Sequence, residues 1–369
     1  MSSEVCGQCH SVWELHDQAG QRQANAEGFP YRPGDELGET RFVAQPSKNM
    51  GSPRMKELLA RYPGFVDDSF WSDGMIRVSG REYNGLIDSP CFKNARSDQQ
   101  MMSCSSCHTM HKAEGDPRPI GQWADTYQVS AGMDGNQACL QCHTRLRTNV
   151  SAHTKHQADS TGSSCYNCHM PYTSYGLLKA LRSHQISSPT VSASVQTGRP
   201  NACNLCHLDK TLDWTSEYLE KWYGTPRTPL TQDQQSIAAS LLWLVRGDAG
   251  QRALAAWSMG WQPAQAASGT SWMPPYLSVL LNDPYDAVRF IAYRSLRSQP
   301  GFGDFTYDFV GPAQERGSDG VRAMNTWRSS RTVARTDPAL LLDAEGWLNV
   351  DAVLKLLHQR DDRRVNLVE

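Results

Sequence analysis

The sequence predicts a mainly α-helical protein with few short strands, in two parts: residues 1–225, carrying five copies of one short string, and residues 226–369, built from helix pairs. Three observations carry this reading. Ten of the eleven cysteines fall in Cys-x-x-Cys-His strings, all before residue 208. Short helical stretches separated by Gly, Ser and Pro loops surround those strings. Beyond residue 225 cysteine disappears and apolar residues recur at helical spacing.

With 369 residues, 39% hydrophobic and 20% charged, the chain can build two or three domains with proper cores and is not disordered. Lys and Arg total 36 against 38 Asp and Glu, a net charge of −2 spread evenly. That balance offers no basic face to nucleic acid or to an anionic membrane surface. No apolar run approaches the roughly 18 to 20 residues of a membrane-spanning helix, so no transmembrane segment is expected.

The strings are Cys6/Cys9/His10, Cys104/Cys107/His108, Cys139/Cys142/His143, Cys165/Cys168/His169 and Cys203/Cys206/His207. Two thiols three positions apart can each add to one vinyl group of a single haem, and the histidine that follows reaches the iron from the same side. Five covalent haems c are therefore expected, with Cys6, Cys9, Cys104, Cys107, Cys139, Cys142, Cys165, Cys168, Cys203 and Cys206 as attachment points and His10, His108, His143, His169 and His207 as proximal ligands. Roughly forty residues of wrapping per haem is too little for a side-chain core, so the tetrapyrroles act as core material. Zinc knuckles also use Cys-x-x-Cys, but they do not require a histidine directly after the second cysteine. A disulfide framework is disfavoured because cysteines spaced by two are strained partners.

Iron with one protein ligand binds small molecules, whereas iron closed by two mainly moves electrons. Beyond the proximal set the chain holds His16, His111, His153, His156, His184 and His358. The first five lie within the string-bearing segment and match the strings in number, which favours electron transfer with mostly bis-histidine haems. His111, three residues after His108, is assigned to a neighbouring haem. His153 and His156 are placed on one side of a helical turn, bringing two haems close. His184 ends the amphipathic stretch GLLKALRSH, where Leu177, Leu178 and Leu181 offer an apolar face. His16 follows the first string within a short helix, VWELHD, and His358 is read as a surface residue. Met110 and Met170 are read as packing residues, and Cys91 as a small buried hydrophobe.

Residues 30–100 hold no string and are rich in turns; WSDG reads as a hairpin turn joining short strands at FW and MIRV. Arg77, Arg81, Glu82 and Tyr83 either pair with haem propionates or line a substrate pocket. TPRTP, near residue 225, is a linker. After it, QRALAAW and VRFIAYR align with Arg252 over Arg289, a period of 37, each after an Asp-led turn. This pattern resembles HEAT-like repeats, which stack helices into a solenoid. Trp243, Trp257, Trp261 and Trp272 then fill its core, and its surface docks a redox partner protein.

Residues 139–207, including HTKHQADSTGSSCYNCHMPYTSYGLLKALRSHQISSPT and GRPNACNLCH, resemble the haem core of bacterial multihaem c-type cytochromes. The group is the one related to cytochrome c-554, hydroxylamine oxidoreductase and pentahaem nitrite reductase, including forms with helical repeats after the haems. FWSDGMIRVSGREYNGLIDSPCF followed by MMSCSSCHTMH resembles the approach to a haem string in the same group. The resemblance covers roughly residues 1–225 and implies that His153 and His184 are distal ligands. Nitrite reductases of the group commonly carry a Cys-x-x-Cys-Lys string, and none occurs here, which weighs against an enzymatic reading.

Covalent haem attachment of this kind takes place outside the bacterial cytoplasm, so a periplasmic or extracellular location is expected. Met1 is followed almost at once by the first string, without a charged and apolar leader. The string CGQCHSVWELH resembles an internal one of the group, and a truncated N-terminus is expected. The favoured function is a single-electron carrier. The alternatives are a reductase or oxidase of a small nitrogen or sulfur oxyanion at one open haem, or a subunit of a larger respiratory complex or cytochrome filament. Five haems with their propionates would take the net charge to about −7 oxidised and about −12 reduced, steering basic partners.

Overall fold

Helices carry most of the ordered backbone and strands are few and short, as the Gly, Pro and Ser punctuation predicts. These features are seen in a computed structural model, which describes residues 3–95, 101–330 and 335–365. Among them, no helix is long and apolar enough to cross a membrane. The chain divides into two compact units, Met1–Met170 with Arg182–Ser188, and Pro171–Leu181 with Pro189–Glu369. The division differs from the one expected at residue 225: the fifth string, with Cys203, Cys206 and His207, groups with the helical region rather than with the other four strings.

In the first unit, the helix Glu4–His10 carries the first string and packs on the helix Glu82–Asp88. Gly7 permits this: a Cβ there would meet Leu37 Cδ2 at 2.9 Å and the Tyr83 ring at 3.0 Å. Beyond Ser11 the chain becomes extended, and Trp13–Glu14 pairs antiparallel with Phe42–Val43. The expected helix VWELHD is thus partly strand, because Trp13 and Glu14 find a ladder partner remote in sequence. Val12, Ala44, Met55, Phe70 and Ile76 form one small core, and Tyr31, Leu37, Tyr83 and Ile87 another. The WSDG turn exists, with Gly74 at φ 86° and the Gly74 amide donating to the Trp71 carbonyl at 2.8 Å. Its flanks pair at the bridge Phe70 to Ile76, with the Trp71 amide donating to the Met75 carbonyl at 2.7 Å and the Arg77 amide to the Ser69 carbonyl at 3.0 Å, and do not extend into longer strands.

In the second unit, Ser174–Gly176 and Lys179–Leu181 form a hairpin. Leu177 and Leu178 are its two-residue loop, both at positive φ, and Leu177 is 61% exposed. The stretch expected to present a leucine face is therefore a turn. Its strands pack on the helix Ala249–Gly260, a contact some 70 residues away that local periodicity does not reveal. That helix also packs against Asp286–Arg297. Arg252 and Arg289, the aligned pair, are both buried and do equivalent work. Arg252 donates to the Gly247 carbonyl and Arg289 to the Pro284 carbonyl, each five residues upstream, at 2.7 and 3.0 Å. Arg252 also makes a fully buried bidentate pair with Asp283, at 2.7 and 3.1 Å. Trp243 and Trp272 are buried, while Trp257 and Trp261 are half-buried and meet Tyr172 in a tilted and an edge-on contact.

Candidate haem-attachment sites

The first string sits on a helix, so Cys6, Cys9 and His10 follow one another at helical spacing, and Glu4 in the first turn complements the helix dipole. His10 is exposed, and its Nδ1 meets Glu82 Oε2 at 2.8 Å. The other carboxylate oxygen accepts from the Gly80 amide at 2.9 Å, and Arg81 Nη1 donates to the Cys9 carbonyl at 3.3 Å. The hydrogen bond to Glu82 raises the His10 pKa above its ordinary value. Burial pushes the Glu82 carboxyl up, but His10, with His184 nearby, outweighs it and holds Glu82 at about 2. Beside the string, buried Arg41 donates to the Gln8 carbonyl at 2.9 Å and lies over Trp13, 4.3 Å from the ring centre.

The second and fourth strings are joined by one short segment, residues 182–188. The ring centres of His184 and His108 are 6.2 Å apart with planes within 28°. Three residues on, the Ser187 carbonyl lies 3.0 Å from His169 Nδ1, and the Ser187 amide donates to the His169 carbonyl at 3.1 Å. Arg182 anchors the segment through the Met170 carbonyl and Asn167 Oδ1, at 3.1 and 2.8 Å. Gly85 lets the helix Glu82–Asp88 lie directly on the His184 backbone; a Cβ there would sit 2.7 Å from the Gln185 nitrogen. His108 Nδ1 is met at 2.9 Å by the Tyr127 carbonyl, which is presented from a turn where Tyr127 and Gln128 both have positive φ. Desolvation lowers the His184 and His169 pKa values, favouring the neutral imidazole that binds metal. Burial pushes the Cys107 and Cys168 thiols of these two strings up.

His153 faces His169, with ring centres 6.2 Å apart and planes within 9°. His153 lies on the helix Val150–Thr154, which ends at Lys155 in the left-handed region, φ 59°. His156 is consequently not on the same turn, and its Nδ1 lies 2.7 Å from the Thr154 carbonyl. The expectation of two histidines on one helical face fails because the helix stops between them.

The third and fourth strings are tied by Asn136, whose Nδ2 donates to the Ser163 carbonyl and whose Oδ1 accepts from the Cys165 amide, both at 2.8 Å. The Cys139 and Cys165 thiols hydrogen-bond to each other, which raises the Cys139 pKa. Cys104 likewise neighbours Cys6, and burial pushes its thiol up to about 11. His143 is exposed beside a cleft that Cys142, Arg145 and Leu146 help to line.

The fifth string lies in the second unit, where Cys203 and Cys206 are both half-buried. The Cys203 amide donates to Asn201 Oδ1 at 3.0 Å. Cys206 is held from far along the chain: its carbonyl accepts from the Ser268 hydroxyl at 2.9 Å, and the same hydroxyl oxygen accepts from the Leu208 amide at 2.8 Å. These bonds span about 60 residues, and they are the physical reason Cys206 departs from the expected boundary at residue 225 and sits with the helices beyond it. Asn204, between the two cysteines, is buried, donating to the Lys210 carbonyl at 2.9 Å and accepting from Thr215 at 2.7 Å. His207 packs against Trp214, with ring centres 5.2 Å apart.

The remaining expected residues lie apart from these contacts. His16 is exposed with Nε2 3.1 Å from the Gly38 carbonyl, and His111 is exposed. Met110 is 67% exposed rather than packed, and Cys91 is half-buried. Arg77 is buried over Trp71 and Tyr83 lies in the core. Sequence reasoning missed Asn136, Gly85, Ser187 and Ser268, and it named Glu82 without its partner; all five act across long sequence separations.

Among the described residues, no three His, Cys, Asp or Glu side chains converge to hold a metal ion by themselves. What is gathered is two pairs of imidazoles with ring centres 6.2 Å apart. A metal bound to one nitrogen of each ring, at about 2 Å, needs ring centres about 6 Å apart, and both pairs provide that spacing. The residues present therefore fit a haem at the second and fourth strings.

Five Cys-x-x-Cys-His strings, with a second imidazole close to the string histidine at two of them, are the residue pattern that covalent haem attachment requires. The family model for cytochrome c552 matches residues 149–239, the stretch holding His153, the fourth and fifth strings and the helix Leu212–Tyr223. Among solved structures, the outer cell wall cytochrome OcwA is similar to this chain, with 16% identity and a TM-score of 0.35 over 80% of the chain. The chain spans 64% of that protein's length. No curated protein matches.

Proposed function

We propose that this chain holds five covalent haems c, attached at Cys6 and Cys9, Cys104 and Cys107, Cys139 and Cys142, Cys165 and Cys168, and Cys203 and Cys206, and passes single electrons between redox partners outside the cytoplasm. When bound, such a group supplies one-electron cycling between ferric and ferrous iron. The chain's own residues attach it, orient it and exclude competing ligands. His10, His108, His143, His169 and His207 are the proximal ligands. His184 opposes His108 and His153 opposes His169, which commits those two sites to electron transfer rather than to binding an exogenous ligand.

The observation that carries the proposal is the matched 6.2 Å spacing of the two imidazole pairs. The backbone carbonyls of Tyr127 and Ser187 fix the tautomer and orientation of His108 and His169, leaving Nε2 of each for the metal. The helical region after residue 225, with its equivalent arginines, is read as a HEAT-like scaffold that docks a partner.

Mass spectrometry of the natively matured protein should find five haems, and its ferric spectrum should be low-spin at the second and fourth sites. His184→Ala and His153→Ala should each convert about one haem in five to high spin. Unchanged spin state in both variants would overturn the ligand pairing. A high-spin fraction in the unaltered protein that shifts with nitrite would favour a reductase instead.

A further inference from the structure

The three proximal histidines whose Nδ1 partner is resolved are not held alike. His108 and His169 meet neutral backbone carbonyls, at 2.9 and 3.0 Å. His10 meets a carboxylate, Glu82 Oε2, at 2.8 Å. We propose that Glu82 is a positioning and tuning residue for the first site, which holds the His10 imidazole in an electron-rich state and makes that site's reduction potential lower than it would be with a carbonyl partner. The inference rests on the reading of His10 as an axial ligand.

Several features give the carboxylate this role rather than that of a surface ion pair. Both of its oxygens are engaged, one by His10 and one by the Gly80 amide two residues back, so its orientation is set by the backbone turn. Glu82 begins the helix Glu82–Asp88, which is held against the string's own helix through Tyr83 and the Cβ-free surface of Gly7. Its side chain is 30% exposed, so solvent screens it only in part. A carboxylate on the far nitrogen of a metal-bound imidazole raises ligand basicity, and its negative charge favours the more positive, oxidised metal. Arg81, whose Nη1 donates to the Cys9 carbonyl at 3.3 Å, contributes a positive charge of opposite effect beside the same string.

Glu82→Gln removes the charge while its one amide oxygen can still accept from His10, at the cost of the bond from the Gly80 amide; Glu82→Asp keeps the charge and serves as the control for that loss. The measurement is a spectroelectrochemical titration of the haem bands of the full chain, with haem content counted by mass spectrometry. With five haems attached, one component carrying about a fifth of the amplitude should move to higher potential. The reduced-to-oxidised ratio at fixed potential should rise about tenfold, about 59 mV for a one-electron couple. Glu82→Asp, which keeps the charge but draws it back, should move the same component less. A titration that superimposes on that of the unaltered protein with all haems attached, or one that moves downward, overturns the proposal. If both variants lose the first haem, Glu82 serves maturation rather than potential and the proposal is likewise overturned. An unaltered protein with no haem on Cys6 and Cys9 would instead refute the underlying ligand reading.

Discussion

Gly85→Ala tests how closely His184 is placed. A Cβ at this position would lie 2.7 Å from the Gln185 nitrogen and 2.9 Å from the His184 carbonyl carbon. Both are backbone atoms, so no side-chain rotation relieves the contact. Restoring an ordinary separation of 3.4 Å requires the 182–188 segment to withdraw by about 0.7 Å. Ligand distances at metal sites hold to about 0.2 Å, so this shift is too large for His184 to keep its place opposite His108. Helix propensity favours alanine by about 1 kcal/mol, while overpacking costs about 1–3 kcal/mol, so the net effect is destabilising by up to about 2 kcal/mol. The variant should show a lower denaturant midpoint and a new high-spin signal of up to one haem in five by electron paramagnetic resonance. Gly7→Ala is the comparison: its new Cβ meets Leu37 Cδ2 and the Tyr83 ring, side-chain atoms that can shift. It should lose some stability without any spin change at the His108 site. A Gly85→Ala protein whose high-spin signal does not rise above that of the unaltered protein would refute the reasoning.

Three further outcomes are expected. Asn136→Leu leaves the Cys165 amide and the Ser163 carbonyl without their partner, a loss of about 1–3 kcal/mol that hydrogen exchange should localise to residues 136–165. Arg252→Met strands Asp283 as a buried lone charge and should cost about 3–5 kcal/mol of second-unit stability in denaturant melts; a loss below about 1 kcal/mol would contradict the buried-pair reading. With propionates added to a chain charge of −2, a cationic redox reagent should react faster than an anionic one of matched potential. The gap should close as the Debye length falls from about 30 Å at 0.01 M salt to about 3 Å at 1 M, and a salt-independent ratio would remove charge steering.

The strings were legible because their chemistry is local: two thiols and an imidazole within five residues need no tertiary partner to be recognised. The predominance of helix was legible for the same reason. Element type failed where a distant partner decided it. Trp13–Glu14 became strand through Phe42–Val43, and GLLK became a hairpin loop whose strands lie on the helix Ala249–Gly260. His153 and His156, alike in sequence, were separated by one left-handed residue, Lys155. The grouping of the strings also escaped the sequence, since Cys206 is tied to Ser268 rather than to anything near it in the chain.

By itself the sequence determined which side chains can attach a cofactor, how many such strings there are, and that histidines are at hand to oppose them. Only the tertiary structure decided which imidazole meets which, and what stands behind each one. His184 reaches His108 across 76 positions, and Glu82 reaches His10 across 72. The physical reason is that attachment depends on covalent neighbours along the chain, whereas an opposing ligand or a hydrogen-bonded carboxylate depends on distances of a few ångströms that only packing can establish.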